Sequence, residues 1–408
     1  MKIIFVILSC ILHAFSLVSC SNSMVDDTWD GTVAIEFAQG NGSQNSPFVI
    51  KTGAQLALMS EMINSGNYTD SYFVLENNID LNSIEWTPIG NNAHPFNGSF
   101  DGNGHTITNL TMSNPIKHYQ ETYSEALAYS RKYTEGFEGL FGLCEAVTIN
   151  NLNIKNATLT TNKSVDFDHL YMGILAGNIT SKNNCNISNI KVLNSNINLT
   201  ASESEKTNSS ITSMFIGGVI GRIEAKSNLS EIHTEVLIEY KDGFKSTNCI
   251  GSVTGYIGGE IDVSDISSYL SVEFPDASKN YAGAFGYLST KDTDIKLSNI
   301  FSEVKSNKDN IEPASHYSGP TYEINAIIGK TNILPNQTVT LEFENLFGYV
   351  TPSENSKDFS EARYSLYILP ESINCIENNC QSLTLLPDNN GFNTQVWDIT
   401  NKSKPLLK

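Results

Sequence analysis

One four-residue pattern of apolar and polar positions recurs along the chain: apolar, small or polar, Asn or acid, apolar. It appears as Ile107-Thr108-Asn109-Leu110, Ile149-Asn150-Asn151-Leu152, Ile187-Ser188-Asn189-Ile190 and Leu229-Ser230-Glu231-Ile232. It continues as Val263-Ser264-Asp265-Ile266, Leu297-Ser298-Asn299-Ile300 and Phe343-Glu344-Asn345-Leu346. Successive third positions lie 42, 38, 42, 34, 34 and 46 residues apart. A glycine-flanked apolar run precedes six of the seven copies and ends at Gly142, Gly177, Gly221, Gly255, Gly286 and Gly329. A stretch rich in β-branched and aromatic residues, such as Thr234 to Tyr240, often follows the Asn or acid.

Short strands repeated at this spacing cannot each bury an apolar face alone, but stacked coils can. The pattern predicts a mainly β chain folded as a parallel β-solenoid; a β-sandwich explains seven in-phase copies poorly. Leu140, Phe141, Leu175, Val219, Ile220, Val253, Phe285 and Ile328 are expected on one inner wall. Ile149, Leu152, Ile190, Ile232, Ile266, Ile300 and Leu346 are expected on another. Glycine beside each run allows tight corners and positive φ. The recurring Asn or acid is expected at a bend, satisfying backbone N–H groups or bonding coil to coil as a ladder.

Patterning also predicts the ends. Residues 31–94 read as a small α/β cap, with Thr52 capping a helix that places Leu56, Met59 and Ile63 on one face and stops at Gly66. The solenoid is expected over 95–350. The stretch Asp101-Gly102-Asn103-Gly104 runs into a strand rather than a helix, so it reads as a hairpin-like corner and not a phosphate cradle. Residues 116–134 are expected to form an inserted helix, with Tyr119 and Tyr123, and Tyr129 and Tyr133, as i,i+4 partners. Residues 351–408 read as an irregular C-terminal cap.

Composition narrows the function. With 40% hydrophobic and only 17% charged residues the chain can build a core. A net charge of −19 with 25 Lys plus Arg argues against nucleic acid and against simple docking on an anionic membrane. At the N-terminus, Lys2 and a short apolar run lead to Leu17-Val18-Ser19-Cys20. This resembles a bacterial lipobox, which implies a signal peptide over 1–19, a lipid anchor on Cys20 and a tether over 20–30. Among the other cysteines, Cys375 and Cys380 are close enough in sequence to form a disulfide, while Cys144, Cys185 and Cys249 read as small buried hydrophobes.

Catalytic motifs are scarce. None of the seven histidines is followed by Glu, so no His-Glu-x-x-His zinc site exists, and there is no Gly-x-Ser-x-Gly elbow. A β-helix polysaccharide lyase or hydrolase is the main competing reading. For it the candidates are Arg222, the one arginine on a coil, with Glu231, Asp265 and Asp262. Glu231 and Asp265 stand where other coils carry Asn, which favours a turn role. No cofactor is expected; the Asp- and Asn-rich loops leave structural calcium as a minor possibility without named ligands.

The glycine–apolar–glycine repeat resembles the GLUG motif of Bacteroides-type surface proteins. The blocks TWDGT from Thr28, FAQGNGSQNSPFVIKTGAQLALMSEMIN from Phe37, YFVLENNIDLNSIEWTPIG from Tyr72 and FNGSFDGNGHTITNLTM from Phe96 resemble the start of such proteins. VWDITNKSKPLLK from Val396 resembles their tail. The resemblance implies a non-catalytic, adhesin-like surface lipoprotein in the cell envelope, outer-membrane-anchored and surface-exposed. Its expected partners are the membrane, through the lipid, and a glycan, host surface or envelope protein. Binding residues are expected in the loops 161–170, 201–213 and 305–322. A passive spacer is the third alternative.

Overall fold

The computed structural model describes residues 28–113, 115–124, 129–161, 168–200, 213–241, 246–274, 279–289, 294–307, 321–332 and 340–351, with short segments at 375–378, 381–382, 397–398 and 406–407. These residues form a parallel β-solenoid. One inner column runs through nine rungs in register: Phe48, Phe73, Phe100, Ile149, Ile187, Leu229, Val263, Leu297 and Phe343. All nine are buried, and each such side chain contributes about 1.5–3 kcal/mol of burial. Every residue expected on the two inner walls is likewise buried. The ladder reaches into the segment expected as a cap, because Phe48 and Phe73 are rungs of the same column. That segment also holds the helix Gly53–Asn64, with the Thr52 side chain accepting from the Gln55 N–H and Leu56, Met59 and Ile63 buried. Gly66 follows with φ +88°.

The recurring Asn or acid marks a left-handed corner. Asn151, Asn189, Glu231, Asp265, Asn299 and Asn345 have φ between 51° and 55°. Each falls between two paired residues of the ladder and is itself skipped by the pairing. The left-handed region disfavours L-residues, and Asn and Asp tolerate it best because a short polar side chain can bond locally. The side chains also bond from coil to coil. Asn189 Nδ2 donates to Asn151 Oδ1 at 2.8 Å, Asn299 Nδ2 to Asp265 Oδ1 at 3.2 Å, and Asn345 Nδ2 to Asn299 Oδ1 at 2.9 Å. Asp101 starts the column by accepting from Asn151 Nδ2 at 3.0 Å.

Asn109 has the same left-handed backbone, φ 58°, but occupies the next corner. Its segment pairs with Ile154–Lys155, so Asn156 and Asn194 are its counterparts rather than Asn151. The glycines behave differently from expectation as well. Gly142, Gly177, Gly221, Gly255, Gly286 and Gly329 stack in one column, and none has positive φ. They are needed for close approach: a Cβ on Gly255 would lie 2.3 Å from the Ile216 backbone nitrogen, and one on Gly286 2.5 Å from that of Ile250.

The expected helix at 116–134 is absent. Ile116–Ser124 and Tyr129–Glu138 form an antiparallel hairpin, pairing Tyr119 with Thr134 and Tyr123 with Ser130. The tyrosine spacing of four residues is a helical neighbour distance and also a multiple of the strand period of two, so it fits both. The Asp101–Gly104 corner is not a hairpin either. The strands it joins, Ser99–Asp101 and Thr106–Thr108, both run parallel to the next coil. Asp101 and Asn103 do form the turn, through the Asn103 N–H to Asp101 Oδ1 at 2.8 Å.

Cys144, Cys185 and Cys249 are buried free thiols. Cys20 and Cys380 lie outside the described residues, as do most of 351–408 and most of the loops expected to carry binding residues. Among the described residues no helix is long and apolar enough to cross a membrane.

Candidate ligand-binding cleft

Two strand segments of a coil meet at a bend just before the column glycine, as at 139–140, 174–175, 218–219 and 326–327, and their outward side chains form two parallel columns. The first is Phe137, Tyr171, Phe215, Cys249 and Tyr281. The second is Leu143, Asn178, Arg222, Tyr256, Tyr287 and Lys330. Parallel pairing puts like positions about 4.8 Å apart, which lets flat groups stack. The Phe137 and Tyr171 rings stack at 5.6 Å, Tyr171 and Phe215 at 5.5 Å, and Tyr256 and Tyr287 at 5.6 Å. The Arg222 guanidinium lies 5.5 Å from the Tyr171 ring centre and 5.6 Å from that of Tyr256, and pairs with the Glu224 carboxylate.

The second column begins with short side chains, Leu143 and Asn178, and becomes long from Arg222 onward. The change of size leaves a cleft of about 410 Å³ over the first coils, within the ~300–1,000 Å³ of small-molecule sites. Phe137, Tyr171, Asn178 and Arg222 line it together with Glu135, Glu145 and Asn92, the last from the N-terminal segment. Glu135 is 7% exposed and accepts from the Tyr171 hydroxyl at 2.9 Å. Asn178 is 3% exposed, and its Oδ1 has no hydrogen-bond donor among the described residues.

Of the residues singled out from sequence, only Arg222 reaches this cleft. Glu231 and Asp265 are neighbours on adjacent rungs, but both are held at the left-handed corner. Asp262 lines a separate groove of about 670 Å³ with Glu260, Asp294, Lys296 and Glu342. All five are exposed, and Lys226 pairs with Glu260 at 2.7 Å. No group of three or more His, Cys, Asp or Glu among the described residues is placed to hold a metal ion.

Glu138, on the same strand as Glu135, is fully buried in the core. Its column continues with Met172, Ile216, Ile250, Ala282 and Ile324. Neither carboxyl oxygen has a hydrogen-bond partner. Burial first, and the nearby Glu85 charge second, push its carboxyl well above the usual carboxylate range. Burial raises the Cys144 thiol in the same way.

No family model matches the chain. Two curated proteins are similar to parts of it. "Putative Gly-rich membrane protein" of Evansella cellulosilytica is 31% identical over 131 residues, 29% of this chain. "Halomucin" of Haloquadratum walsbyi is 29% identical over 206 residues, 48% of this chain. The matches span only 15% and 2% of the lengths of those two relatives. Among solved structures, one titled "putative immunoglobulin A1 protease from Bacteroides ovatus" superposes with a TM-score of 0.55 at 17% identity, covering 91% of this chain and 95% of that one. At that identity the likeness shows the shared solenoid fold alone.

Proposed function

We propose that this chain is a lipid-anchored cell-envelope protein whose GLUG-type solenoid is a non-catalytic, adhesin-like module that binds a glycan, a host surface or an envelope protein. The observation that carries this reading is the division of labour between the columns. The repeated Asn, acid and Gly residues are consumed by corners and close packing. The outward columns vary from coil to coil and form a rigid, aromatic-lined flank with a cleft at its start. A rigid scaffold that varies only its outward positions is suited to recognition. The membrane protein named above supports a place in the envelope. Cys20 supplies the anchor in this reading.

A sugar-cleaving enzyme is the second reading, favoured by one arrangement: Arg222 and two carboxylates, Glu135 and Glu145, border the same cleft. Against it, Arg222 is clamped between two rings and paired with Glu224, and a guanidinium stays protonated and makes a poor base. The Bacteroides ovatus protein is named as a protease, but this chain has neither a His-Glu-x-x-His nor a Gly-x-Ser-x-Gly motif, and peptide hydrolysis is not proposed.

The test is a binding screen with the full-length chain in detergent against glycans, host-matrix proteins and envelope fractions, with products followed over time. Saturable binding of an unaltered ligand supports the module. Steady release of shortened sugars would replace it with the enzyme, and no binding at all would leave a spacer.

A further inference from the structure

The unpartnered amide at the floor of the cleft points to a ligand class. We propose that the cleft binds a neutral sugar residue and that Asn178 determines its specificity; this rests on the binding-module reading above.

A buried amide oxygen without a donor costs about 1–3 kcal/mol, and such groups in native structures call for an explanation. Asn178 Oδ1 is such a group, and its residue lines an open cleft rather than a sealed core. A small turn of the amide brings the oxygen to a ligand hydroxyl, whose donation removes the cost on binding. The rest of the lining has the complementary roles. Glu135 accepts one hydrogen bond from the Tyr171 hydroxyl and keeps acceptor capacity for others. Arg222 carries five N–H donors, more than its one carboxylate partner uses. Donors and acceptors placed side by side match hydroxyls, which both give and take hydrogen bonds.

Charge excludes the nearest competitors. Two carboxylates, Glu135 and Glu145, border the cleft against one imidazole, His169, and one guanidinium that is already balanced by Glu224. The local balance is therefore negative, which disfavours phosphate, sulfate or uronate groups. A cationic ligand would seek a ring face, and Arg222 already lies over the Tyr171 ring. Leu143 and Phe137 provide the apolar wall against which the C–H face of a sugar can pack. Because Asn92 comes from the N-terminal segment and the other residues from three successive coils, the site is preformed by the stack rather than by a loop.

The experiment uses the full-length chain on an array of neutral, sulfated and uronate-containing glycans, followed by calorimetric titration of the best ligand. The same titration with the free monosaccharide separates recognition of a single sugar from recognition of a chain end. Wild type is expected to bind neutral glycans saturably. Asn178→Ala and the near-isosteric Asn178→Leu, which both remove the amide acceptor, are each expected to weaken binding at least tenfold, with thermal unfolding not lowered. Tenfold loss in Asn178→Leu alone, with Asn178→Ala misfolded, supports the proposal equally. Glycan binding that both Asn178 variants retain overturns the cleft while leaving the module reading intact. Preference for sulfated or uronate glycans overturns the neutral-sugar class. Absence of any ligand, on the array or in the broader screen, overturns both readings.

Discussion

Replacing Glu138 with Met should stabilise the protein at neutral pH. The carboxyl is fully buried and neither oxygen is hydrogen-bonded, while the next rung of its column is Met172. Methionine thus extends an apolar column at nearly the same side-chain length. Replacing a buried, unpartnered polar group with an apolar one of similar volume relieves a desolvation cost of roughly 1–3 kcal/mol. For a body of this size each kcal/mol raises Tm by about 2–4 °C. The pH dependence carries the sharper signature. The folded pKa of Glu138 is raised, so the folded state holds a proton that the unfolded chain releases. Stability from this group is fully present below the unfolded carboxylate range, near ~4.3, and is lost as pH rises toward the folded pKa, at about 1.4 kcal/mol per unit. The advantage of Glu138→Met over wild type should therefore be small near pH 4.5 and grow toward pH 7.5. Thermal unfolding of both proteins by circular dichroism across that range measures it. Comparing the two at each pH cancels the other titrating groups, and a solenoid that melts in stages would show the effect in the N-terminal transition. A variant less stable than wild type at pH 7.5, or an advantage independent of pH, would refute the reasoning.

Other consequences follow from the corners and the core. Asn299→Val forces a β-branched residue to φ 53° and removes the bonds to Asp265 and from Asn345; it should cost about 3–4 kcal/mol in denaturant unfolding. Asn299→Gly keeps the backbone and should cost about 2 kcal/mol. Gly255→Ala should cost several times more than Gly104→Ala. The first meets backbone at 2.3 Å, whereas the second meets nothing within 4 Å and bears only the strain of φ +77°, roughly 1 kcal/mol. Cys249 should be inert to a thiol reagent in the native protein and react at the global unfolding rate, because it is buried and its thiol is pushed up by burial. Metabolic acyl labelling should disappear in Cys20→Ala; labelling that persists would remove the anchor from the proposed function.

Much of the scaffold was legible because its chemistry repeats. The Asn or acid positions and the glycines align along the sequence, and each set is a single column in the structure, Asn109 excepted. Their physical roles were legible only in part. A sequence shows that Gly is needed without showing whether φ or close approach demands it; here the left-handed φ is carried by Asn and acid, and the glycines answer to packing. Asn109 was aligned with Asn151 because Ile-Thr-Asn-Leu has the same letters as the true copies. The first coils have two left-handed corners with nearly identical flanks, and only register tells them apart. The hairpin at 116–138 was hidden by tyrosines whose spacing suits both periods. The cleft was nearly invisible for the opposite reason. Glu135, Tyr171, Asn178 and Arg222 occupy outward positions that do not repeat, on three different coils. Only Arg222 carried a signal, as a lone arginine beside a repeat glycine.

The claim that recognition lies at the outward flank while the repeated acids only build corners is tested most directly by one comparison. Ligand affinity of the full-length chain is measured for wild type, Asn178→Ala and Asp265→Asn, using the best neutral glycan from the array. The account predicts at least a tenfold loss for Asn178→Ala and no change for Asp265→Asn, whose side chain can keep the corner. Loss of binding or of sugar turnover in Asp265→Asn, with Asn178→Ala unaffected, would contradict it.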